Sequence, residues 1–212
     1  MGSAITADKL YAELVHSPRL RLLVTAAEDL LTAEAAARER FREALPDNEK
    51  AEFINGEVVA AMPARFQHGQ VVRLLLRILD SFVRLRGLGV VGVEKMMIAL
   101  TRNDYEPDLC FWRRETADSF TPEQWRFPAP DLVVEVLSES TADRDRGVKL
   151  EDYAAHGVAE YWIVDPDEGT IVVLGLEAGA YHEQGRYGHG QSVMSPLLPE
   201  LRVAATEILS AG

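Results

Sequence analysis

The stretch APDLVVEVLSESTADRDRGVKLEDYAAHGVAEYWIVDP, residues 129–166, decides how the rest of the chain is read. Its first part, DLVVEVLS, is a nearly continuous apolar strand of the kind buried on both faces. TADRDRGVKLEDYAAHGV reads as a helix, with STAD at Ser140–Asp143 resembling a capping box and Gly157 as the stop. EYWIVDP is a second apolar strand. Glu135 sits in the middle of the first strand, where an ionised carboxylate is costly unless it is paired or bound to a cation. Strand residues alternate faces, so Glu135 shares its face with Asp131, Val133 and Leu137.

Working upstream, YEPDLCFW, residues 105–112, is another strand-like segment and brings a second acid, Asp108, on the face of Cys110 and Trp112. Asp108 precedes Glu135 by 27 positions, enough for the chain to return as a neighbouring strand. Asp131 lies four residues from Glu135 along one strand, roughly 13 Å, too far to share an ion, and is read as a residue that starts or caps the strand. Lys149, in the helix after Glu135, shares a helical face with Asp145 and Tyr153. Its simplest reading is a surface i,i+4 ion pair. Two acids from neighbouring strands with a lysine on the following helix are also the parts of a divalent-metal site acting on phosphodiesters. Mg²⁺ needs only one or two carboxylates beside waters and substrate oxygens, and the backbone carbonyl of Val136 is a candidate third protein ligand. Mn²⁺ is a candidate substitute.

The remaining pattern gives a helix, three strands, a helix and a strand, preceded by a hairpin and followed by further strands. AEFINGEVVAAM, residues 51–62, folds over Asn55-Gly56 as a hairpin. After Pro63, QHGQVVRLLLRILDSFVRLRG carries apolar residues at helical spacing up to Gly87 and is the first core helix. Arg73, Arg77 and Arg84 recur on its other side, a basic stripe whose plain reading is a solvated face. GVVGVEKMMIAL, residues 89–100, reads as a strand, and Asp167–Gly169 with Thr170 as a turn. A mixed sheet flanked by helices, an α/β (α+β) fold, is the economical architecture. Residues 1–31 read as an N-terminal helical appendage, with a helix near Asp8–Leu14 and a candidate role as a dimerisation arm. The domain proper is expected over 32–212, opening with Thr32 as the N-cap of a helix that stops before Pro46.

Composition sets the limits. At 212 residues and 47% hydrophobic content the chain can bury a core of its own. Its formal net charge of −12 argues against a broad, sequence-independent nucleic-acid surface. It argues less against a metal site, which requires carboxylates whose field the ion reverses. The single cysteine, Cys110, excludes an internal disulfide and a cysteine-rich zinc site, and fits a reducing, cytoplasmic setting. No secretory leader and no membrane-length apolar run is visible. MGSAIT matches a myristoylation pattern by letters alone.

Taken together, FINGEVVAAMP, QHGQVVRLLLRIL, EPDLCFW, the stretch 129–166 and SPLLPELRV resemble the Uma-type family of restriction endonucleases, a bacterial branch of the PD-(D/E)XK nuclease superfamily. The resemblance spans about residues 32–209, and 129–166 is its most specific part. It implies a restriction-endonuclease-like core, a Mg²⁺ site and hydrolysis of nucleic-acid phosphodiesters, DNA before RNA. By position Asp108 fills the first acid, Glu135 the second, and Lys149 a lysine displaced onto the helix, since Leu137 occupies the superfamily's usual lysine position. Glu57 matches an acid of the family's opening hairpin and His68 a polar position at the start of the first core helix. Two other readings stay open: a non-cutting binding module that keeps the fold, and a metal-dependent hydrolase of a small phosphate ester. A homodimer is the expected assembly.

Overall fold

The computed structural model describes residues 7–46 and 49–211, so the MGSAIT reading lies outside the described residues. The N-terminal half runs α1 (Ala7–Val15), α2 (Leu20–Ala44), β1 (Ala51–Ile54), β2 (Glu57–Ala60), α3 (Phe66–Arg86), β3 (Gly89–Val93), β4 (Met97–Ala99) and β5 (Asp104–Tyr105). Next come β6 (Leu109–Arg113), α4 (Arg114–Ala117), β7 (Arg126–Phe127), β8 (Leu132–Val136), α5 (Ala142–Asp145) and α6 (Val148–Ala155). The chain closes with β9 (Glu160–Asp165), β10 (Thr170–Glu177), β11 (Ala180–Tyr187), β12 (Ser192–Met194), β13 (Arg202–Ala204) and α7 (Ala205–Leu209).

Six strands form the central sheet in the order β11-β10-β9-β8-β6-β3. Every pairing in it is antiparallel except β8 with β9, which runs parallel because α5 and α6 carry the chain across. All five residues of β8 and all six of β9 are buried, as their unbroken apolar runs require. Alternation then sorts the side chains. Leu109, Phe111, Leu132, Val134, Val136, Trp162 and Val164 pack with Val71, Leu75, Leu79 and Val83 of α3 and with α7. Cys110, Trp112, Val133, Leu137, Tyr161 and Ile163 face the other way, against Tyr153 of α6 and Ile98 and Tyr105 of a second sheet.

That second sheet, β2-β1-β5-β4-β7, amends the expectation of a single mixed sheet. GVVGVEKMMIAL, read as a single strand, is two: Glu94 and Lys95 take positive φ of 36° and 35°, and the chain leaves β3 in the central sheet for β4 in the smaller one. Strands of two or three residues are too short for period-two patterning to show.

The hairpin and α3 follow the sequence closely. Asn55 and Gly56 have φ of 50° and 89°, the left-handed pair a two-residue turn requires, and β1 pairs β2 from Ala51↔Ala60 to Ile54↔Glu57. Gly87 at φ 63° closes α3, its N–H donating to the carbonyls of Val83 and Arg84. Thr32 departs from its expected role. It lies inside α2, which begins twelve residues earlier, and its hydroxyl donates to the Glu28 carbonyl at 2.8 Å. The Leu- and Ala-rich turns before it propagate the helix, so no free N–H groups remain for a cap to satisfy.

The C-terminal half of α2 docks on the second sheet through an apolar cluster of Phe41 with Ala51, Phe53 and Met97, and through ions. Arg38 donates to both Asp104 carboxylate oxygens at 2.8 and 2.6 Å and to the carbonyls of Leu100, Thr101 and Asn103. Arg42 adds two bonds to the same carboxylate, and Arg102 pairs with Glu34.

Candidate active site

Asp108 stands immediately before β6, and Glu135 lies opposite it in β8, as the register Leu109↔Val134 requires. The Asp108 N–H donates to Glu135 Oε2 at 3.3 Å, and the Val136 N–H donates to Asp108 Oδ2 at 2.9 Å. Both carboxylates are almost fully buried. Val136 thus takes part through its amide hydrogen, where the sequence reading chose its carbonyl.

Lys149 reaches this pair from α6. Its ammonium lies 2.9 Å from Glu135 Oε1, 2.9 Å from Glu52 Oε1 and 3.1 Å from Asp145 Oδ1. The i,i+4 pair with Asp145 is therefore real but buried, not a surface contact. The helix carrying it is broken, α5 ending at Asp145 and α6 starting at Val148 around Gly147. A Cβ at Gly147 would stand 2.7 Å from the Asp143 carbonyl oxygen, so only glycine allows this close turn. The capping box reduces to the Ser138 N–H donating to Thr141 Oγ1, with no capping bond from the Thr141 side chain to a backbone N–H of α5.

On the far side of Asp108, Lys50 Nζ is 3.2 Å and His68 Nε2 3.3 Å from Oδ1. Burial works to raise the Asp108 pKa, but the His68 hydrogen bond, the Lys50 charge and the Val136 amide together hold it below its usual value. Glu135 moves the other way. Burial raises it, and Asp145, Asp108 and Glu52 add repulsion that the Lys149 charge does not cancel. Asp145 is raised by burial as well, against Lys149 and a Thr141 bond. Lys149 is itself held firmly protonated, because its three carboxylates outweigh a burial that favours the neutral amine.

These groups line a cleft of about 860 Å³ bounded by the hairpin, the start of α3, the end of β8 and α5. Eight carboxylates line it, among them Glu49, Glu94, Glu106 and Glu139, against two lysines, Arg65, Arg144 and His68. The excess negative charge and the hard oxygen donors fit an added divalent cation of the Mg²⁺ or Mn²⁺ class; three buried atoms here have no hydrogen-bond partner, Asp145 Oδ1, His68 Nδ1 and Arg144 Nε. Among the described residues no group of three or more His, Cys, Asp and Glu side chains is placed to hold a metal ion as it stands. A pair of facing acids completed by water and substrate oxygens remains the arrangement Mg²⁺ uses. Cys110 is buried in the core below, its thiol pushed up by burial, and offers no soft ligand.

Of the residues singled out from sequence, Asp108, Glu135, Lys149 and His68 converge. Glu57 does not: it is exposed at the turn end of β2, paired with Ile54, and the hairpin's acid at the cluster is Glu52 on β1. β1 is buried throughout while β2 faces solvent, a difference that EFINGEVV does not announce. Asp131 keeps its structural reading, its carboxylate accepting the Arg113 N–H at 2.8 Å. Lys50, Glu52 and Asp145 were missed. The i,i+2 spacing of Lys50 and Glu52, and the i,i+4 spacing of Asp145 and Lys149, were the available signals, but neither tells a buried face from a wet one.

Known proteins resemble this chain in sequence and in fold. A family model, Uma2, described as "Putative restriction endonuclease", matches residues 38–207. An uncharacterized protein of Synechocystis is 30% identical over 147 residues, covering 68% of this chain and 80% of its own length. A solved structure from Anabaena variabilis, described as "a putative nuclease", superposes with a TM-score of 0.69 at 17% identity, over 82% of this chain and 97% of its own.

Proposed function

We propose, since the chain belongs to the Uma2 restriction-endonuclease family, that its cleft is the active site of a Mg²⁺-dependent endonuclease hydrolysing DNA phosphodiesters. One observation carries the proposal: Asp108, just ahead of β6, and Glu135 of the neighbouring β8 line one cleft side by side, the Asp108 backbone N–H donating to the Glu135 carboxylate and Lys149 lying against Glu135. Asp108 and Glu135 are the residues that would hold the ion, with Mn²⁺ as substitute. A divalent ion bound there supplies Lewis acidity toward a phosphoryl oxygen and eases deprotonation of water.

The chain's own side chains account for the rest. Lys50 and His68 fix the Asp108 carboxylate from one side while the Val136 N–H fixes it from the other, so its geometry is set before substrate arrives. Lys149 and Lys50 place two positive charges beside a site that must accept a phosphodiester and the further negative charge of its transition state. Ser138–Thr141, where β8 leads into α5, line one wall of the cleft. Supercoiled plasmid with Mg²⁺ tests the reading: wild type nicks or linearises it, whereas Asp108→Asn and Glu135→Gln leave it intact. Equal cleavage by all three removes the proposal.

A homodimer formed through α1 and the first half of α2 belongs to the same proposal. Leu22, Leu23, Val24, Leu30 and Leu31 are exposed there, on turns that extend α2 beyond its docked half. Pairing of two copies through this patch would cover its apolar side chains. We place the protein in the cytoplasm on its single buried thiol. Among the described residues no helix is long and apolar enough to cross a membrane.

A further inference from the structure

Lys149 is more enclosed than delivery of one charge to a substrate requires. Its side chain is 5% exposed, and its ammonium is surrounded by carboxylates from three separate elements, Glu52 on β1, Glu135 on β8 and Asp145 at the end of α5. Three acids from three elements surround one buried cation, too far apart to close on a metal ion as they stand. A second feature points inward. Asp145 Oδ1 is buried and has no hydrogen-bond partner, although the ammonium lies 3.1 Å away. The charge of the ammonium is what holds that oxygen in place.

We propose that Lys149 is a built-in counter-cation that fills a second cation position, so that the site takes one divalent ion, and that removing its amine turns Glu52, Glu135 and Asp145 into a second divalent-ion site. The inference rests on the nuclease reading, because it assumes that Asp108 and Glu135 hold the first ion. Its physical basis is charge balance. Three buried carboxylates left without a cation are strongly destabilising, whereas Mn²⁺ has the charge and the preference for oxygen ligands to replace the ammonium. The carboxylates must close in from 2.9–3.1 Å to about 2.1 Å. The long side chains of Glu52 and Glu135 can make that movement by small rotations. Glu135 Oε1 faces the ammonium, while Oε2 accepts the Asp108 backbone N–H.

The test is the number of Mn²⁺ ions bound per chain, counted on the full-length protein by equilibrium dialysis with electron paramagnetic resonance detection of free Mn²⁺. Wild type should bind one. Lys149→Ala should bind two and gain more thermal stability from Mn²⁺ than wild type does. Asp145→Asn, an isosteric change outside the Asp108–Glu135 pair, should still bind one. Two ions on wild type, a single ion on folded Lys149→Ala, or loss of the ion from Asp145→Asn would each overturn the inference. So would a Lys149→Ala chain that stays unfolded in saturating Mn²⁺, since the cage would then have refused the divalent ion. A wild type that binds none removes the nuclease reading too. One ion on both wild type and Lys149→Ala removes only this inference.

Discussion

Asp108 and Glu135 show how one strand position can carry two opposite electrostatic tasks. They touch, yet Asp108 is held ionised by Lys50, His68 and an amide, while Glu135 sits among three other acids and resists ionisation. Asp108→Asn and Glu135→Gln should each lower kcat/KM for plasmid cleavage by about 10²–10³-fold or more, the scale of losing a group that stabilises charge in a transition state. Far-ultraviolet circular dichroism should show the fold retained. Lys149→Met leaves the cage acids without their cation and should cost about 3–5 kcal/mol in urea unfolding with chelator present. A surface lysine would lose under about 1 kcal/mol. At this scale the sequence disclosed Glu135 because an acid inside LVVEV has no neutral explanation. It did not disclose Glu52, whose short amphipathic strand looks like many exposed hairpins.

Elements carry their own tests. α2 is tied down by Arg38 and Arg42 on Asp104 and by Glu34 on Arg102. The Arg102 hydrogen bond holds Glu34 below its ordinary pKa, though partial burial opposes this. A depressed carboxylate stabilises the folded form above its unfolded pKa near 4.5 and loses that contribution as pH falls through the lower folded value. Protection factors along α2, corrected for the slower intrinsic exchange in acid, should therefore fall on acidification below about pH 4.5, and Glu34→Gln should remove that share of the dependence. At the start of β9, Glu160 accepts hydrogen bonds from Trp162 Nε1, Ser195 Oγ and the Leu197 N–H at 2.7, 2.6 and 2.8 Å, joining the C-terminal loop to the sheet. Glu160→Ala strands three donors in the interior and should cost about 2–4 kcal/mol, measured by chemical denaturation. Burial pushes its pKa up even against these donors. Long periodic elements such as α3 and β8 were legible in the sequence. β4, β5 and β7, of two or three residues each, had no period to read.

For the whole molecule, the acidic balance and the exposed apolar arm make two predictions. With the positive charge of the cleft concentrated in Lys50, Lys149, Arg65 and Arg144, DNA binding by Asp108→Asn should show a shallow salt dependence, a slope of about −2 to −3 in log K against log salt. Fluorescence anisotropy measures it, and a slope near −8 would reveal a basic surface elsewhere. Leu23→Glu with Leu30→Glu should convert a dimer to monomers by light scattering while leaving the thermal transition of the nuclease-like domain nearly unchanged. By itself the sequence determined the strand carrying Glu135, the facing strand carrying Asp108, the helix carrying Lys149, the hairpin and the core helix, because each depends on local periodicity or on the cost of burying a charge. Only the tertiary structure decided that a second sheet covers the site, that Glu52 and not Glu57 is the hairpin's acid there, and that Lys149 is enclosed by three carboxylates. Those facts depend on which faces of distant segments meet, and a pattern read along one chain carries the spacing of its side chains but not what lies opposite them.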